Sequence, residues 1–256
     1  MSDRIVITIA FTIVLAATAC TSSSQSCKAA VKTIDDVAAF TDLSLEGADL
    51  AALAKRVRDA ADRADRVVSN LAAMKTNDTE LASAISNYRT TMTDAAKELR
   101  ALGNLAEQVA KAVDALGPMA KGFSTTVAAQ KARCAKTPDA DCVALKGALD
   151  AAPDGAFDVK KDGHGVGFVH GVLTSGSVKK DADDVAVFAT ELRNKPVKDA
   201  VVRAELDRGV AATATAGDIV ETLRTLALPI GAAWTAADAA VAKEPAARRQ
   251  LAALCP

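Results

Sequence analysis

The chain has 256 residues, which is enough for one large domain or two small ones. It contains 58 alanines and only 3% aromatic residues, a composition that disfavours a β-sandwich or barrel and favours helices packed through small side chains. The 31 basic and 32 acidic residues balance, so the charge gives no indication of nucleic-acid binding.

The first nineteen residues are predicted to form a removable export signal. A short polar start that includes Arg4 precedes residues 5–19, in which only two threonines are polar. A helix needs about 20 apolar residues to cross a bilayer, so this run is too short for that purpose and has the length of a signal-peptide core. Small residues then lead directly into Cys20.

The tetrapeptide Ala17, Thr18, Ala19, Cys20 resembles a bacterial lipobox, with alanine at the position where leucine is most usual. This resemblance covers residues 1–20; the mature chain resembles uncharacterised alanine-rich helical lipoproteins of Gram-negative bacteria only in composition and pattern. The lipobox resemblance implies cleavage before Cys20, which is then diacylated and acylated at its new amino terminus. It therefore implies a lipid-anchored envelope protein, and Thr21 in place of aspartate favours the periplasmic face of the outer membrane in a Gram-negative host. The alternative is an ordinary secretory signal followed by an incidental cysteine.

Residues 20–26 are predicted to be the lipidated cysteine and a polar tether of sequence TSSSQS. Six residues span at most about 20 Å. The folded body, predicted as a single domain over residues 27–256, therefore begins close to the membrane.

Four further cysteines predict two disulfide bonds, because an even number in an exported protein indicates pairing. Cys134 and Cys142 flank a turn that contains a proline, and Cys27 and Cys255 lie at the two ends of the body. We therefore expect the pairs Cys134–Cys142 and Cys27–Cys255. Free buried thiols are the alternative, whereas the absence of CxxC spacing disfavours a zinc site.

The body is predicted to be all-α, a mostly antiparallel bundle of long helices. Apolar and small residues recur at alternating steps of three and four, which is the pattern of helices that pack side by side. We call these three runs the seams. Their residues are Leu53, Val57, Ala60, Ala64, Val67, Leu71 and Met74; Leu81, Ile85, Tyr88, Met92, Ala95, Leu99, Leu102, Ala106, Val109, Val113 and Leu116; and Val202, Leu206, Gly209, Thr213, Ala216, Val220, Leu223 and Ala227.

Capping residues and prolines predict where these helices begin and end. Asn77 and Glu80 resemble a capping box at the start of the second seam, and Gly117 with Pro118 is predicted to end it. Pro118 is then expected to open a new helix to about residue 135. A short helix is expected over 143–149. Pro196 and Pro245 are predicted to open helices, and Pro229 to break one.

Within the third seam, Gly209, Thr213 and Ala216 are small. They predict that a neighbouring helix backbone approaches unusually closely at this point.

Residues 153–180 depart from the helical pattern and are predicted to form an irregular or hairpin insertion, since they hold six of the fourteen glycines. His164 and His170 also lie here and are weak candidates for metal ligands. Solvated histidines in a connector are the favoured interpretation, because six-residue spacing defines no ligand geometry in a loop.

The chain has no HExxH, GxSxG, GxxxxGK[ST] or EF-hand pattern, so we expect neither a cofactor nor an enzymatic activity. The leading hypothesis is a lipid-anchored envelope protein that has a structural role or contacts an envelope partner. The alternative is a helical binding module for a small molecule or lipid.

If Cys27 pairs with Cys255, both chain ends lie near the membrane, and the turn at Thr76 is expected at the opposite end of the bundle, roughly 50 Å away.

Overall fold

The computed structural model describes residues 25–35, 50–152 and 177–255. Every regular element in those ranges is an α-helix and none is a strand, so the predicted all-α class is confirmed. The helices are α1 (25–35), α2 (Leu50–Ala72), α3 (Thr79–Lys136), α4 (Ala140–Asp150), α5 (Ser177–Arg193), α6 (Ala200–Val241) and α7 (Glu244–Ala253).

Packing divides the described chain into two compact units. The sequence predicts a single domain over 27–256. The first unit takes in residues 25–35, Lys55–Gly103 and 233–255. The second takes in residues 50–54, 104–152 and 177–232.

The three predicted seams form the cores of these units. All of their residues are buried except Met74 and Val113, which are half-buried. Removing a leucine or valine side chain of this kind from water stabilises the fold by about 1.5–3 kcal/mol. The period of the apolar residues therefore identifies the packed helix faces correctly.

Two predicted helix ends are wrong, because Pro118 lies inside α3 and Pro229 lies inside α6. A proline in a helix interior removes one backbone hydrogen bond and costs about 3 kcal/mol. Buried side chains on both sides of each proline offset this cost by holding the helix in register. These side chains are Leu116 and Phe123 around the first proline, and Ala227 and Ile230 around the second.

Two helices also begin later than predicted, because an aspartate caps each of them. The carboxylate of Asp78 accepts backbone N–H bonds from Glu80 and Leu81, both at 3.0 Å, so α3 is capped one residue after Asn77. Likewise Asp199 accepts N–H bonds from the second and third residues of α6, which therefore starts after Pro196. Each side chain satisfies donors that the first turn leaves unpaired.

Three further predicted boundaries are wrong, because helices extend into segments that were assigned to irregular structure. The described part of α1 includes residues 25 and 26, so the last two residues of the predicted tether are helical. Residues 177–180, assigned to the insertion, are the first turn of α5. The short helix predicted over 143–149 extends to Ala140–Asp150. The remainder of the insertion lies outside the described residues.

The core of the second unit joins α3, α4, α5 and α6. Phe123 of α3 and Phe188 of α5 meet edge to face, with ring centroids 5.6 Å apart. Around them pack apolar side chains from α4 and α6, including Leu145 and Leu206. This core supports the turn between α3 and α4.

The neighbouring helix does come close at Gly209, but it is the side chain of Thr126 and not the backbone that makes the contact. A Cβ atom built on Gly209 of α6 would lie 3.1 Å from Cγ2 of Thr126 on α3, which is closer than ordinary van der Waals contact. By contrast, nothing lies within 4 Å of the same position on Gly217. The described seam of the second unit is therefore tightly packed where its residues are smallest.

We predict that Gly209→Leu destabilises the protein, whereas the matched variant Gly217→Leu does not. Overpacking against Thr126 costs about 1–3 kcal/mol. At Gly217 the leucine meets open space, and its better helix propensity adds up to about 1 kcal/mol. Urea unfolding followed by circular dichroism measures both free energies. Equal stability of the two variants would contradict the close packing at Gly209.

Candidate functional site

The two ends of the described chain meet in the first unit. Cys27 of α1 and Cys255, which follows α7, lie at disulfide distance with their Cα atoms 5.2 Å apart, as predicted. The hydroxyl of Ser26 donates a hydrogen bond of 3.2 Å to the carbonyl oxygen of Lys75, in the turn between α2 and α3. We call this group of residues the terminal clamp.

The clamp overturns the predicted position of the turn at Thr76. That prediction placed the turn at the far end of the bundle from Cys27, but its neighbour Lys75 bonds the residue next to Cys27. The reason is α1, an additional helix that the sequence analysis did not assign. Helix α1 lies between the predicted tether and α2 in the chain. The end of α2, and not its start, therefore lies near the clamp.

A partly buried polar network lies between α1, α3 and α7. The hydroxyl of Tyr88 on α3 donates to Oε1 of Glu244 at 2.7 Å, and both side chains are buried. One turn along α7, Nη2 of Arg248 donates to the carbonyl oxygen of Ile34 at 2.7 Å and to Asp35 at 3.3 Å. Ile34 belongs to α1, so the guanidinium joins α7 to α1 through a backbone carbonyl.

The pKa of Tyr88 lies well above its ordinary value, first because of burial and then because its hydroxyl bonds Glu244. The phenol therefore stays neutral and serves as a hydrogen-bond donor to a carboxylate. The arrangement fixes α7 against α1 and α3. Sequence reasoning placed Tyr88 in the core but missed its partner, although Glu244 and Arg248 share one face of α7 by their spacing of four.

The second predicted cysteine pair closes the turn between α3 and α4. Cys134 and Cys142 lie at disulfide distance, with their Cα atoms 5.2 Å apart. Asp139 caps α4 by accepting the backbone N–H of Cys142, and it also accepts Nη1 of Arg133, both at 2.8 Å. The pKa of Asp139 is lowered mainly by the hydrogen bond from the backbone N–H of Cys142 and further by the bond from Arg133.

Asp141, in the first turn of α4, holds the start of α6. Its buried carboxylate accepts the backbone N–H groups of Lys198 at 2.9 Å and Asp199 at 2.8 Å. These two bonds lower the pKa of Asp141, so the group is a carboxylate at neutral pH. The turn between α3 and α4 is thus fixed covalently and by charge-assisted hydrogen bonds.

A groove with a cavity volume of about 490 Å³ lies on the surface beside the Cys134–Cys142 pair. The end of α3 and one face of α4 form its two sides. Its lining is Lys131, Cys134, Ala135, Pro138, Cys142, Val143, Lys146, Leu149 and Asp150.

The remaining predicted site residues, Cys20, His164 and His170, lie outside the described residues. Within residues 25–35, 50–152 and 177–255, no group of three metal-ligating side chains comes together. Comparison with known protein families, curated proteins and solved structures finds no match to the chain.

One described segment is long and apolar enough to cross a membrane. It lies within Ala200–Ala253 and contains a window of mean hydropathy 1.3. An alanine-rich core helix meets the same criterion by its length and composition. Helix α6 carries a buried seam that includes Leu206, Val220 and Leu223, whereas only 22% of the apolar window is buried.

Proposed function

We propose that the chain is a lipid-anchored protein of the cell envelope, attached through Cys20, whose helical surface has a structural role or contacts an envelope partner. The sequence of residues 1–20 supports the anchor. The terminal clamp is the observation that carries the proposal, because it joins the helix next to the predicted tether to the other end of the chain.

The clamp suits a point of attachment. Cys27 is seven residues after Cys20, a separation of at most about 24 Å by chain reach. Helix α1 is held by its buried Ala30 and Ile34, by the bond from Arg248 to the Ile34 carbonyl and by Cys255. A body attached through such a helix remains folded at the membrane instead of unravelling from its first residue.

The tight packing of α3 against α6 favours a structural or contact role over a ligand cavity between these helices. Gly209 and Thr126 leave no room for even one additional carbon atom at ordinary contact distance. We therefore expect other molecules to contact the outer surface of the helices.

We predict that Cys20→Ser abolishes lipidation. Cells fed a clickable palmitate should label the wild type and not the variant, and only the wild type should partition into the membrane fraction. The double variant Cys134→Ser with Cys142→Ser is the matched control, because it also loses thiols but keeps the anchor and should label fully.

Continued labelling of Cys20→Ser would contradict the anchor. A soluble, unlabelled wild type would instead indicate an ordinary secretory signal. The contact role is tested with a photocrosslinking residue at exposed positions such as Lys97 or Val187 in intact cells. We expect discrete adducts with envelope proteins from the wild type and their loss in Cys20→Ser.

A further inference from the structure

The groove beside the Cys134–Cys142 pair has an apolar floor that the fold keeps rigid. Leu149 and Cys142 line it although each is at most 5% exposed, so they form its floor. The cysteine pair joins its two sides, and Asp139 and Asp141 anchor α4 at the same turn. A cavity of about 490 Å³ is within the range of pockets that hold small organic ligands.

Two features of the rim indicate the chemistry of an occupant. Val143 is 76% exposed at the groove, so it extends the apolar surface beyond the buried floor. Among the described residues, Lys131 forms no ion pair, whereas Lys146 pairs with Asp150 at 2.6 Å. The lining therefore carries one uncompensated positive charge beside an apolar surface.

We propose that this groove binds the anion of a single-chain fatty acid. The alkyl chain lies along Val143 and Leu149, and the carboxylate pairs with the ammonium group of Lys131. No aromatic ring lines the groove, so a stacked planar ligand finds no partner there. The single free cation matches one carboxylate. This inference does not depend on the anchor at Cys20.

The test uses the full-length protein in nanodiscs of zwitterionic lipid and a photoreactive dodecanoate, with the labelled site mapped by mass spectrometry. We expect saturable labelling of the segment from Lys131 to Asp150. Free dodecanoate should compete, whereas dodecanol, which has the same chain without the charge, should compete about tenfold less well. Dodecylammonium should not compete.

Val143→Asp should reduce labelling of this segment about tenfold, because it places a like charge in the path of the alkyl chain and the carboxylate. Val187→Asp is the matched control: this valine of α5 is 61% exposed and does not line the groove. Both variants should keep the wild-type melting temperature. Lys131→Glu should lose the preference for dodecanoate over dodecanol.

The proposal is overturned if the segment is not labelled, if the three competitors act equally, or if both valine variants lose labelling to the same extent. Competition by anionic vesicles but not by free dodecanoate would also overturn it, in favour of a membrane-contacting surface. Failure of Cys20→Ser to alter palmitate labelling leaves these outcomes unchanged, so the two proposals fail separately.

Discussion

The double variant Cys27→Ser with Cys255→Ser is expected to lose about 5 kcal/mol of unfolding free energy, the largest effect of any change considered. The pair closes a loop with a sequence separation of 228, so it removes much conformational entropy from the unfolded chain. The Cys134–Cys142 pair closes a separation of only 8, so the double variant Cys134→Ser with Cys142→Ser is expected to lose about 2.5 kcal/mol.

Urea unfolding of the oxidised proteins measures the difference, with Trp234 fluorescence and circular dichroism as probes. Trp234 is the single tryptophan of the chain and belongs to the first unit, which contains the clamp. A smaller loss for the clamp variant than for the variant of the α3–α4 turn would show that Cys27 and Cys255 do not hold the chain ends together in the native protein.

Tyr88→Phe is expected to lower the unfolding free energy by about 1–3 kcal/mol at neutral pH, because the buried carboxylate of Glu244 then loses its donor. The same hydroxyl predicts the response to alkali. Since the folded state raises the pKa of Tyr88 above the unfolded value near 10, its contribution to stability is fully present below about pH 10. It is lost as the pH rises further, by up to about 1.4 kcal/mol per pH unit.

The ultraviolet absorbance of the phenolate reports this residue alone, because the chain has one tyrosine. In strong denaturant it should titrate near pH 10, whereas in the native protein it should appear only with unfolding. Tyr88→Phe should show a weaker loss of stability above pH 10 than the wild type. A native phenolate that titrates near pH 10 without unfolding would contradict the buried bond to Glu244.

The parts of the fold that follow from local periodicity were predictable from the sequence. The steps of three and four identified the buried faces of α2, α3 and α6, because a helix buries one stripe whatever lies opposite. The cysteine pairs followed from their positions at a turn and at the chain ends. Pro118 and Pro229 were misleading, because the cost of one proline is smaller than the gain from burial on both sides of it, whereas Pro245 opens α7 as predicted.

The parts that depend on contacts between distant segments were not predictable. Over its described residues 25–35, helix α1 has only two fully buried side chains, Ala30 and Ile34, so its apolar signal is short. The bond between Tyr88 and Glu244 joins residues 156 positions apart, and no local pattern pairs them. The groove likewise needs the α3–α4 turn to be folded before Val143 and Lys131 come to share one surface.

The most direct test of the anchored, clamped arrangement is a mass map of the non-reduced protein isolated from its own envelope. We predict a chain that begins at Cys20 and carries a diacylglycerol and an amide-linked acyl group. The same digest should contain a peptide with Cys27 linked to Cys255. A chain whose Cys20 is unmodified, or is paired with Cys27, would contradict the account.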